Sequence, residues 1–156
     1  MELSVKMTLT AWNAQNASFN QLLSELSDEQ LNKEIAPGKN TGTYLLGHLV
    51  AVSDGMLPLL GFGDKLFPSL EEVFIKNPDK SGLEKASVAE LKQNLIEVNA
   101  KLNGHIQSTT PSEWMERHTA VSAEAFEKEP HRNKLNIIIS RTNHMAYHLG
   151  QLALLK

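Results

Sequence analysis

The chain has 156 residues, of which 41% are hydrophobic, enough for one domain spanning 1–156 around a single sizeable core. Fifteen Lys and Arg against eighteen Asp and Glu give a formal charge of -3 with no like-charge block, which argues against a nucleic-acid partner or an acidic tail. There is no cysteine, so disulfides, thiolate ligands and a cysteine nucleophile are excluded together, and any thiol chemistry needs an outside thiol.

The start, Met1-Glu2-Leu3-Ser4-Val5-Lys6, lacks the basic region and apolar run of a secretory signal. The most apolar stretch, residues 42 to 62, is interrupted by His48 and Asp54. A soluble, cytoplasmic protein with no membrane span is expected.

From about residue 6 to 26, Leu9, Trp12, Phe19, Leu22, Leu23 and Leu26 recur at helical spacing and predict a first helix. Ser27 followed three residues on by Gln30 has the form of a capping box, so Asp28 to Leu31 is expected to make a short turn before Pro37 and Gly38 break the chain. A second helix is expected from Thr41 or Thr43 to Leu60, ending before Gly61, with Pro58 as a point where it kinks or stops early. His48 shares a face with Tyr44, Leu45, Ala51, Val52, Gly55 and Leu59, and the small Ala51 and Gly55 would let a helix or ligand approach it.

Ser69 with Glu72 repeats the capping-box form and predicts a short helix through about Ile75. Ser87 and Glu90 cap a third helix carrying Val88, Leu91, Leu95, Val98 and Leu102, with Gly104 weakening its end. Thr110-Pro111-Ser112-Glu113 caps another short helix through Trp114 and Met115. Residues 117 to 132 are polar and read as the longest connection, after which a last helix runs from Arg132 or Asn133 to Leu155. With no repeat and no defensible strand, the expected fold is an all-α bundle of four principal helices with short extra helices in the connections.

The last helix carries His144 and His148, about 40° apart around the axis and one turn apart along it, so both imidazoles reach one ion. Their face also holds Ile137, Arg141, Met145, Leu152 and Leu155, and imidazoles in an apolar interior need partners. A lone pair of histidines at this spacing also arises by chance or as hydrogen-bonded core residues. His48, on the apolar face of another helix, can meet them at the bundle axis, where metal sites are commonly built. Three imidazoles leave a coordination position open, as a catalytic ion requires, and the set suits zinc or nickel, with copper and iron also open.

Pro37-Gly38-Lys39-Asn40, then Leu45-Leu46-Gly47-His48-Leu49, then His144-x-x-x-His148-x-Gly150-Gln151-Leu152 together resemble the DinB-like superfamily of four-helix bundles, over nearly the whole chain. The resemblance implies a divalent metal held by His48, His144 and His148. It also implies an activity like that of relatives that are thiol transferases or isomerases using low-molecular-weight thiols such as bacillithiol or mycothiol, and a homodimer. The expected function is therefore that of a metal-dependent enzyme, a thiol-dependent transferase or hydrolase acting on a small molecule. The alternative is a non-catalytic metal-stabilised bundle or a small-molecule binding module.

No catalytic residue is assigned. No Asp or Glu stands obviously beside the histidines, and Asp54 lies on a different face from His48. Gln151 is either a residue that orients a ligand or a surface glutamine. Arg141 is either a packed stem with a solvated head or a fork for an anionic substrate group. Tyr44 is either a packed aromatic or a proton donor. His118 and His131 are expected in solvent and His105 at a frayed helix end. Ile139, Ala146 and Gly150, opposite the histidines, form the expected dimer face.

Overall fold

The periodic apolar stripes become four long helices in the structure, a computed structural model that describes residues 2–156. In chain order the α-helices are α1 (Glu2–Glu25), α2 (Asp28–Leu31), α3 (Gly42–Leu60), α4 (Val88–Ser108), α5 (Ala123–Lys128) and α6 (Lys134–Leu152). The all-α four-helix bundle is formed by α1, α3, α4 and α6, with α1 packed on α6, α3 on α4, and α3 on α6. Trp12 and Phe19 of α1, Leu45, Leu49 and Leu57 of α3, Leu91 and Val98 of α4, and Ile138 and Met145 of α6 fill the shared core.

The middle of the bundle is α3, which is apolar and buried around most of its circumference. By length and composition it could cross a membrane, but 72% of its apolar window is buried within the protein, as in the core helix of a bundle. Its start is fixed by Thr41, whose side chain accepts from the Tyr44 N–H at 3.2 Å. Pro58 does not end it early, since the helix runs on to Leu60. Pro58 stands in the last turn, where the helix needs few further bonds, and Gly61 at φ 77° closes it with N–H groups of Gly61 and Phe62 turned back to Pro58 and Leu57 carbonyls.

Several boundaries differ from the sequence expectation. The first helix begins at Glu2 because Val5 is buried with the core and extends the stripe toward the N-terminus. The capping box at Ser27 and Gln30 forms in full, whereas the one at Ser69 and Glu72 does not. There the N–H groups of Leu70 and Glu71 bond to Phe67 and Pro68 carbonyls, and the chain winds into a π-helical turn, Glu72–Lys76. Gly104 does not fray α4, which continues to Ser108 because Leu102 and Ile106 are both buried. The polar connection before α6 contains α5, capped by Ser122.

Two contacts tie the long α3–α4 connection to α3. The buried Asp54 carboxylate accepts from the N–H groups of Leu66 at 2.7 Å and Phe67 at 2.9 Å, which is why an acid stands on this apolar helix. Farther along, the buried Phe74 ring lies directly across Gly47. A Cβ at Gly47 would fall 2.6 Å from Phe74 Cζ, closer than packed carbons approach, so only glycine admits the ring there.

Candidate metal centre

The sequence-predicted histidines come together: the ring nitrogens of His48, His144 and His148 that face each other all lie within 4.8 Å. His48 Nε2 is 3.2 Å from His144 Nε2, and His148 Nε2 is 3.0 Å from it. Ligands held about 2.0–2.1 Å from a tetrahedral ion sit roughly 3.3 Å from one another, so both separations from His144 Nε2 are those of neighbouring ligands in such a site.

The opposite nitrogens show which lone pairs are free. His48 Nδ1 is 2.8 Å from the Phe74 carbonyl oxygen. A carbonyl only accepts, so Nδ1 carries the proton and Nε2 carries the lone pair. His148 Nδ1 lies 2.7 Å from Gln151 Oε1, and Gln151 Nε2 donates to the Tyr147 hydroxyl at 3.3 Å. The amide oxygen that faces the imidazole only accepts, so His148 Nδ1 carries the proton and Nε2 is likewise left with a lone pair. Two lone pairs are therefore aimed at His144 Nε2, which has one proton at most to share between them. A cation among the three nitrogens satisfies all of them, and the donor set fits one.

Burial holds His144 and His148 neutral. It brings His144 down from 6.5 to about 4, with His148, His48 and Arg141 adding to the effect by charge. It also lowers His148, against the opposing bond to Gln151. Neutral imidazole is the metal-binding form, so these two ligands need lose no proton to bind at physiological pH.

The remaining candidates divide between structural and functional places. Tyr44 braces the site: its ring stacks on His48 with centroids 6.5 Å apart, and its hydroxyl donates to the Asn77 carbonyl at 2.6 Å, which occupies the proton. Gln151 proves to be a partner of His148, through the i, i+3 reach that the sequence displays. Arg141 lines a cavity of about 390 Å³ together with His48 and His144.

The same cavity holds two residues that the sequence reading missed, Lys65 and Glu71. They arrive from the α3–α4 connection, so no helical spacing relates them to His48. An acid therefore does stand near the histidines, contrary to expectation, but it is engaged: Glu71 pairs with Lys65 and, at 3.6 Å, with Lys76. Those lysines hold its carboxyl below the ordinary range.

The other histidines correct two expectations. His105 is helical and stacks on Phe62 with centroids 4.8 Å apart, rather than fraying. His118 is partly buried, with Nδ1 shut away from water and unpartnered among the described residues. His131 is exposed, as its polar surroundings suggest.

These elements define a four-helix bundle with a three-histidine cluster between its second and last long helices. Residues 11–152 match the profile of the DinB superfamily, and the chain belongs to that superfamily. Among solved structures it is similar to a conserved protein from Enterococcus faecalis, with a TM-score of 0.66 and 15% identity over 96% of this chain and 93% of that one. At that identity the likeness is one of fold. No curated protein matches the chain.

Proposed function

We propose that His48, His144 and His148 hold one divalent first-row metal, zinc or nickel, and that the protein is a metal-dependent enzyme acting on a small molecule. The observation that carries this reading is the convergence of three Nε2 atoms, two of them stripped of protons by Phe74 and Gln151. Such an ion, when bound, lowers the pKa of a bound thiol or water, so that a nucleophile is available at neutral pH without a protein cysteine. The chain's own part is to orient the imidazoles, keep His144 and His148 neutral and present a cavity to one side of them. Superfamily membership favours the thiol-dependent transferase over the hydrolase.

One observation favours the non-catalytic reading, a metal-stabilised bundle or binding module. The acid that lines the cavity, Glu71, is committed to Lys65 and Lys76 and is a poor general base. Incubating zinc- or nickel-loaded protein with low-molecular-weight thiols and model electrophiles separates the two. Turnover above free metal, lost in His48→Ala, supports the enzyme; equal rates for wild type, variant and free metal leave the structural reading.

A homodimer through the outer face of α1 and α6 belongs to the same proposal. Leu3, Met7 and Ile139 are exposed on this face. Light scattering should give twice the mass of a 17.3 kDa chain at micromolar concentration, and a monomer mass would remove the dimer.

A further inference from the structure

Beside the histidines, the cavity contains one cation that no acid among the described residues balances. Arg141 stands one turn before His144 on α6 and, with His48 and Gly55, lines the same space. Among the described residues no hydrogen bond or ion pair engages its guanidinium, and Nε is shut away from water with no acceptor. The other charged residues of the cavity, Lys65 and Glu71, neutralise each other. Burial without a partner pulls the guanidinium below its ordinary range. A charge kept under those conditions costs stability, and an apolar residue of similar size would not incur that cost.

We propose that Arg141 is the anion-binding residue of this site, taking the carboxylate of a small substrate whose other end lies at the three histidines. The assignment rests on the metal reading for the second half of that statement. Charge supports it: three neutral imidazoles leave a divalent ion's charge uncompensated, and Arg141 adds another with no acid free to answer it. A planar guanidinium accepts a carboxylate through two parallel N–H donors, which a lysine cannot do. Size supports it too, because a cavity of about 390 Å³ falls at the small end of the range for ligand pockets, roughly 300–1,000 Å³. Gly55 keeps the wall open, since a Cβ built there meets nothing within 4 Å. The substrate class is thus a small carboxylate carrying a soft or oxygen donor that can reach the ion, such as a mercapto acid.

Calorimetric titration of the zinc-loaded protein with 3-mercaptopropionate and its neutral analogue 3-mercaptopropan-1-ol tests this. The wild type should favour the acid by at least about tenfold. Arg141→Gln should erase that preference, Arg141→Lys should keep part of it, and both should retain zinc. Equal affinity for acid and alcohol in the wild type, or an acid preference unchanged in Arg141→Gln, overturns the assignment. A matching loss of zinc affinity in Arg141→Gln overturns it as well, by making the residue structural. Methyl phosphate is the third probe, and tighter binding of it than of propionate would overturn the carboxylate class. Failure to take up zinc at all would remove the metal reading alone. Arg141 would then be judged with propionate on the metal-free protein, where binding lost in Arg141→Gln sustains the anion site and binding unchanged removes it.

Discussion

On the Gly47 side of His48 the protein is closed: the Phe74 ring fills the place of a side chain, and the Phe74 carbonyl oxygen holds the imidazole at 2.8 Å. On the Gly55 side, two turns along the same helix, a Cβ would touch nothing and the wall opens on the cavity with Arg141. Two glycines of α3 thus serve opposite ends. One removes a side chain so that another element can fix the ligand's tautomer, and the other removes a side chain so that space remains. Propensity alone cannot separate them, because each costs the helix about 1 kcal/mol relative to alanine; only what lies across from them does.

The comparison is broken most forcefully at Gly47. Gly47→Ala should destabilise the protein by about 1–3 kcal/mol in urea unfolding, the usual cost of overpacking. It should also weaken metal binding by displacing the Phe74 carbonyl from His48. An alanine variant as stable as wild type would show that the ring can shift freely. The next effect is at the other held imidazole. Gln151→Leu keeps the volume and removes the acceptor of the His148 Nδ1–H, and metal affinity should fall about 10–100-fold with stability little changed. Unchanged affinity by calorimetry would reduce Gln151 to a surface residue.

A smaller effect concerns His144, whose Nδ1 has no partner among the described residues and whose neutrality comes mainly from burial. Its folded pKa, about 4, lies below the ordinary 6.5. As pH falls below 6.5 the unfolded chain takes up a proton that the folded state refuses, so stability is full above 6.5 and is lost progressively down to about 4. Because the ring is partly exposed, solvent screening discounts the loss to on the order of 1 kcal/mol. Thermal unfolding of metal-free protein should show that slope, reduced in His144→Ala; an identical slope in the variant would place the proton elsewhere. The smallest effect is at Gly55, where alanine meets no neighbour. Gly55→Ala should stabilise the protein by up to about 1 kcal/mol through helix propensity, and destabilisation on unfolding would mean that the open wall is not open.

The fold and the three histidines were legible because both are written in helical period. The stripes of α1, α3, α4 and α6 and the i, i+4 spacing of His144 and His148 are local patterns, and the position of His48 follows once its helix faces the axis. Gln151 was half legible, since its spacing from His148 is helical while nothing in the sequence says that its amide oxygen turns toward the imidazole. Lys65, Glu71 and the Phe74 carbonyl were not legible. They come from a connection folded back on α3 by Asp54 and Gly47, and such contacts have no sequence period. The same holds for α5, six residues in a polar stretch with no buried residue to mark it, and for His105, whose setting depends on Phe62 from another segment.

The central claim is that three imidazoles share one ion, and calorimetric titration of metal-free protein with zinc and with nickel, beside His48→Ala, His144→Ala and His148→Ala, tests it most directly. The account predicts one ion per wild-type chain, and a loss of at least about a hundredfold in affinity for every single variant, with helical content kept in each. Full occupancy in the double variant His144→Ala, His148→Ala, or no uptake of either ion by the wild type, would contradict it.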